Sequence, residues 1–160
     1  MKKIEIKTTV LEYNSVDNFS EEEKILIQKS KEALKNAYAP YSNFRVSASV
    51  LLENGEIICG TNQENAAYPS GLCAERVAIF YANSLFPTVP VKALAVSVFA
   101  KNDFPESPTP PCGACRQVLV ETETRFKNPI KIILIGKNII RVIESAKSLL
   151  PLHFDDKFLD

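Results

Sequence analysis

The chain has no excess of charge: nineteen lysines and arginines stand against nineteen aspartates and glutamates across 160 residues, a formal net charge of zero. Proteins that grip a nucleic-acid backbone draw most of that affinity from phosphate neutralisation, so this balance argues against a polynucleotide partner. Long apolar runs are missing too. The strongly apolar stretch "IKIILIG", from Ile130 to Gly136, is far too short to span a bilayer. After Lys2 and Lys3 the polar residues Glu5, Lys7, Thr9 and Glu12 interrupt the N-terminus, so it reads as neither a signal peptide nor an anchor. The expectation is a cytoplasmic protein with no membrane partner. In that compartment thiols stay reduced, and the four cysteines read as ligands, catalysts or buried hydrophobes rather than disulfides. Histidine is scarce: His153 stands alone, with no second ligand type at helical or turn spacing, and is not read as a metal ligand.

There is no internal repeat, no low-complexity tract and no linker, and the length suits one domain with a sizeable core. Residues 20–37 predict an amphipathic helix. Ser20 is placed to cap it with Glu23 three positions on, and Ile25, Leu26, the Lys29 stem, Ala33 and Ala37 fall near helical period. Pro40 disfavours its continuation. "FRVSASVLL" and "EIICGTN" predict a hairpin about the turn at Glu53–Gly55. "CAERVAIFYANSL" reads as a helix, "VKALAVSVFA" as a buried strand and "CGACRQVLVETE" as a further helix. Two strands around Lys137 and Asn138 and a short terminal helix at "SAKSLLP" complete the pattern. Helices alternating with apolar strands imply an α/β protein in three α/β/α layers, with a central mixed sheet of about five strands. Residues 1–19 read as an arm, with a possible extra strand, ahead of a single domain over 20–160.

Two fragments carry chemistry, each at the start of a predicted helix: "CAER" (Cys73 to Arg76) and "PCGAC" (Pro111 to Cys115). Cys112 and Cys115, three apart, lie on one side of a helix and can point at one object. Helix N-termini favour thiolate over thiol. Three thiolates with one open position suit a catalytic zinc, whereas a structural zinc closes with four protein ligands. Cys59, in an apolar strand beside Gly60, reads as core packing. Glu75, two residues after Cys73, can face the open position and move protons there.

"CAER" followed by "PCGACRQV" resembles the cytidine deaminase family, and "AYAPYSNFRV", "GTNQENAAY" and "LLPLHF" are similar to further segments of it, from about residue 20 onward. The resemblance implies one Zn²⁺ per chain on Cys73, Cys112 and Cys115, with Glu75 as the proton shuttle. It implies hydrolytic deamination of cytidine and deoxycytidine to uridine and deoxyuridine plus ammonia, within pyrimidine salvage. Arg76 would donate to the sulfurs, offsetting the net negative charge of three thiolates on Zn²⁺. Asn62 and Glu64 would bind the sugar 3′-hydroxyl, Phe44 would line the pocket, and the Ala74 backbone would hold the base edge. Phe154 would reach into a neighbour's site, which makes the expected enzyme a homotetramer with shared active sites. Ser47 stands where the family usually has glycine. The alternatives are a related deaminase acting on blasticidin S or deoxycytidylate, and a non-catalytic zinc-binding module.

Overall fold

The computed structural model describes residues 1–159. Its elements are strand β1 (Leu11–Tyr13), helix α1 (Glu21–Ala33), strands β2 (Arg45–Leu52) and β3 (Ile57–Thr61), helix α2 (Ala74–Leu85), strand β4 (Val91–Phe99), helix α3 (Gly113–Phe126), and strands β5 (Lys131–Ile135) and β6 (Ile140–Ile143). The six strands form one sheet in the order β1-β6-β5-β4-β2-β3. Only β4 and β5 pair in parallel, as the crossover through α3 requires. The expected α/β/α layering with a mixed sheet is present, with six strands rather than five. The sixth is β1, from the N-terminal arm, which closes one edge against β6.

Local rules account for much of this. Ser20 and Glu23 form the capping box: the Glu23 backbone N–H donates to Ser20 Oγ at 3.3 Å and the Ser20 N–H to Glu23 Oε2 at 2.9 Å. The helix stops earlier than its periodicity suggests, since residues 34–36 tighten into a 3-10 turn. Its buried stripe is Leu26, Ile27, Ser30 and Ala33, while Ile25 is 50% exposed and belongs to the outer face. The β2–β3 hairpin turns through Gly55 at φ 84°, a left-handed conformation that favours glycine.

Each sheet face has its own core. Leu26 and Ile27 of α1 pack with Leu51, Ala93, Ala95, Ile133 and Ile135 on one side. Ala78, Ile79 and Ala82 of α2 and Leu119 of α3 pack with Ala48, Val50, Leu94, Val96 and Ile132 on the other. Burying this apolar surface is the main favourable contribution to folding.

Ser47 has a structural explanation. It is fully buried, and its hydroxyl donates to the Ser30 carbonyl of α1. That carbonyl lies in the last turn of α1, where intrahelical partners run out. The Ser30 hydroxyl in turn donates to Ser97 Oγ at 2.8 Å.

A buried carboxylate ties the far end of α3 to its surroundings. Glu123 accepts from the backbone N–H of Ile130 (3.0 Å) and of Ala146 (2.7 Å) and from the Ser145 hydroxyl (2.7 Å). Glu123→Ala leaves these donors without partners, and unsatisfied buried groups cost about 1–3 kcal/mol each. A loss of at least about 3 kcal/mol in urea unfolding is expected. An unchanged midpoint would show that water replaces the carboxylate.

Candidate active site

The site lies where β2 begins and β4 ends, with the starts of α2 and α3 against it. Cys73 is the N-cap of α2 and Cys112 the N-cap of α3, both with extended backbone. Cys115, one turn into α3, is fully buried. Thus two helix N-termini, each with free N–H groups and partial positive charge, deliver sulfur to one point.

The sulfurs of Cys73 and Cys112 are 3.8 Å apart and those of Cys112 and Cys115 are 3.5 Å apart. All three lie within 4.8 Å of one another. Two sulfurs at about 2.3 Å from one tetrahedral zinc are about 3.8 Å apart, so these residues fit that ion. Hydrogen bonding with Cys115, and then with Arg76 and Cys112, lowers the Cys73 thiol against its burial. The same pairing, together with burial, pushes its partner Cys115 up. Arg76 Nη2 donates to Cys73 Sγ at 3.5 Å.

Glu75, in the first turn of α2, is 5% exposed. Burial pushes its carboxyl above the ordinary value. It lines a cleft of about 280 Å³ with Phe44, Val46, Asn62, Cys73, Ala74, Val96, Val98, Thr109, Pro110 and Cys112. The other walls are largely apolar, and Glu75 is the one carboxyl among them, a group able to move protons there. A second cleft of about 510 Å³ adjoins it, lined among others by Tyr41, Ser42, Asn62, Glu64, Tyr68, Cys73 and Arg76. The two share Asn62 and Cys73.

The structure therefore brings together Cys73, Cys112, Cys115, Glu75, Ala74, Phe44 and Asn62, and places Arg76 and Glu64 next door. Phe154 is not among them. It is 57% exposed, stacks on Phe158 at 5.7 Å and lines neither cleft of its own chain. His153 also lies outside the sulfur cluster, with Nδ1 at 3.1 Å from the Leu150 carbonyl.

Cys59 departs from expectation: it is exposed, not core. It sits on β3, the edge strand, and its Sγ is 3.2 Å from Ser49 Oγ. A strand at the rim has one flank without cover, so apolar sequence around a residue does not ensure its burial.

Some contributors escaped sequence reasoning. Arg116 donates through Nε to the Pro111 carbonyl at 2.8 Å and through Nη1 to the Leu149 carbonyl at 3.0 Å, fastening the loop that precedes Cys112. Thr109 and Pro110 wall the cleft from that loop, and no periodicity marks them. Ser42 stands two residues before Phe44, a spacing at which a serine hydroxyl can cap a turn, and that signal was legible.

A mixed sheet between helix layers, carrying a three-sulfur centre beside a buried carboxylate, defines a metal-centre protein of the α/β/α class. The chain belongs to the cytidine and deoxycytidylate deaminase family, whose zinc-binding region matches residues 20–127. It is 45% identical over 98 residues to a cytidine deaminase of Halalkalibacterium halodurans, covering 61% of this chain and 70% of that one. With a cytidine deaminase of Sporosarcina psychrophila it shares 49% over 96 residues, 60% of this chain and 66% of that one. The crystal structure of cytidine deaminase from Burkholderia pseudomallei superposes with a TM-score of 0.71 at 39% identity, covering 82% of this chain and 98% of that one.

Proposed function

We propose that this chain catalyses the hydrolytic deamination of cytidine and deoxycytidine, using water and releasing ammonia. The observation that carries the reading is Glu75, buried in the same apolar cleft as Cys73 and Cys112. Cys73, Cys112 and Cys115 would hold a zinc ion, which when bound would supply Lewis acidity toward the attacking water. The Glu75 carboxylate accepts a proton from the attacking water and passes it to ring N3. It then takes the remaining proton from the C4 hydroxyl and hands it to the departing amine, so the C4–N bond breaks as the C4 carbonyl forms, and uridine and ammonia balance cytidine and water. Its raised pKa suits a group that must hold the proton between those transfers. Arg76 draws charge from the Cys73 sulfur, the Ala74 backbone holds the base edge, and Phe44 packs against the nucleoside. Asn62 and Glu64 take the sugar 3′-hydroxyl.

A nucleoside fits better than a nucleotide. Among the described residues lining the two clefts, Arg76 is the one cation, and it is committed to Cys73. A 5′-phosphate would lack a partner. A closed structural zinc site is disfavoured because neither Cys59 nor His153 joins the described sulfur cluster. No helix among the described residues is long and apolar enough to cross a membrane. We read the chain as a cytoplasmic homotetramer serving pyrimidine salvage; the exposed face of Phe154 supports the subunit contact alone. We read residues 20–160 as its catalytic domain and 1–19 as an added arm.

The test is a substrate panel with zinc-loaded protein. Cytidine and deoxycytidine should both lose their ultraviolet absorbance signal, each with a kcat/KM well above that for deoxycytidylate and blasticidin S. Faster turnover of either of the latter would replace this reading, and silence on all four would remove it.

A further inference from the structure

Ser42 is exposed and lies outside the sulfur cluster, yet it joins two walls of the substrate clefts. Its hydroxyl donates to Glu64 Oε1 and accepts from the Phe44 backbone N–H at 3.0 Å. Glu64 Oε2 accepts from the N–H of Tyr41 (2.9 Å) and of Ser42 (3.3 Å). The Ser42 hydroxyl above all, with those two N–H groups, holds the Glu64 carboxyl below its ordinary value. The chain of bonds continues on the other side of Phe44. Its carbonyl accepts from Asn62 Nδ2 at 2.9 Å, and the Val46 N–H donates to Asn62 Oδ1 at 2.8 Å. The backbone closes the ring, because Glu64 N donates to the Tyr38 carbonyl at 2.8 Å and Tyr38 N to the Asn62 carbonyl at 3.0 Å.

These bonds fix how many partners remain for a ligand. A carboxylate offers about four acceptor sites, and the Tyr41–Ser42 turn takes three of those on Glu64. The Asn62 amide has two N–H groups, and Phe44 takes one. What is left for a hydroxyl is one acceptor site on Glu64 and one donor on Asn62, besides a second lone pair on Asn62 Oδ1. A single hydroxyl, which donates once and accepts readily, satisfies both. Without the Ser42 hydroxyl, Glu64 would keep only the two backbone N–H bonds to Oε2, nothing would hold its Oε1, and the turn carrying Phe44 would lose a bond that orients it. Asn43, at φ 54°, supplies the left-handed step of that turn, a conformation asparagine tolerates.

We propose that Ser42 is a positioning residue for sugar recognition: its hydroxyl holds the Glu64 carboxylate and the Phe44 wall in one unit, so that Glu64 and Asn62 together admit one sugar hydroxyl. This rests on the reading of Glu64 and Asn62 as ligands of the 3′-hydroxyl. Ser42 touches no reacting atom, so its removal acts on binding.

The experiment measures kcat and KM for cytidine and for 3′-deoxycytidine with wild type, Ser42→Ala and Ser42→Thr, each zinc-loaded and checked for thermal unfolding. Ser42→Ala is expected to raise KM for cytidine about tenfold, the scale of one charge-assisted hydrogen bond, with kcat changed by less than about threefold. It should also shrink the wild-type preference for cytidine over 3′-deoxycytidine, and Ser42→Thr, which keeps the hydroxyl, should restore both. A fall confined to kcat, an unchanged KM, or a retained preference in Ser42→Ala overturns the proposal while leaving the sugar assignment standing. Equal handling of the two nucleosides by the wild type overturns the assignment of Glu64 and Asn62, and this proposal with it.

Discussion

Glu75→Gln should lower kcat by about 10²- to 10⁴-fold, the usual contribution of a general acid/base group, while folding and zinc content stay near wild type. The amide has nearly the shape of the carboxylate but cannot shuttle a proton. Zinc binding should survive because the three sulfurs sit on backbone positions that this change does not move: Cys73 caps α2, and Cys112 and Cys115 open α3. The side chain is buried in an apolar cleft, where ionising a carboxylate is unfavourable, so Gln is not expected to destabilise the fold. Steady-state assays with metal content and a thermal melt check this. Retained activity with full zinc would remove Glu75 from the proton path. Loss of zinc together with activity would make it a ligand instead.

Gly60→Ala should cut both zinc affinity and activity, although Gly60 lines neither cleft. Its missing side chain lets the backbone of α2 press onto β3. A Cβ there would stand 2.4 Å from the Ala78 nitrogen, 2.7 Å from the Ala74 carbonyl oxygen and 2.9 Å from the Ala78 Cα. Those are backbone atoms of a helix, which yield only by moving the helix. Overpacking of this kind costs about 1–3 kcal/mol. The displaced segment is the first turn of α2, which carries Ala74 and Glu75 and is capped by Cys73. Cys112 and Cys115 belong to α3 and stay in place, so the three-sulfur geometry opens. A misplacement of about 1 Å can lower activity about 10²-fold. Chelator competition for zinc, read beside kcat and the unfolding midpoint, tests this. A variant that is destabilised yet keeps wild-type zinc affinity would show that α2 adjusts away from the site.

Local elements were legible before the structure because their causes are local. The capping box of α1 needs only Ser20 and Glu23, the hairpin turn only a glycine able to adopt positive φ, and the buried strand β4 only a run of apolar residues. Helix ends were less legible. The α1 pattern continues to Ala37, but a 3-10 turn intervenes after Ala33, and the buried stripe runs through Leu26 and Ile27 rather than Ile25. Which face turns inward depends on what the sheet presents, and that is not encoded in the helix alone.

The same division holds for the site. The kinds of group present, and their spacing within "CAER" and "PCGAC", follow from sequence, because residues within one helical turn must share a face. That three particular sulfurs meet was decided by packing. Residues 73 and 112 lie 39 positions apart and come within 3.8 Å only because α2 and α3 pack side by side on the same sheet face. Packing likewise left Cys59 exposed, since the edge of a sheet is set by strand order and not by the composition of the strand. Asn62 and Glu64 show the point most clearly. Sequence names them as an amide and a carboxylate in a loop, but their free hydrogen-bonding capacity was fixed by Phe44, Val46 and the Tyr41–Ser42 turn. By itself the sequence determined the chemical groups and the helix starts that carry them. The tertiary structure decided which of those groups converge and how much of each is left for a ligand, because only packing brings distant residues within bonding range.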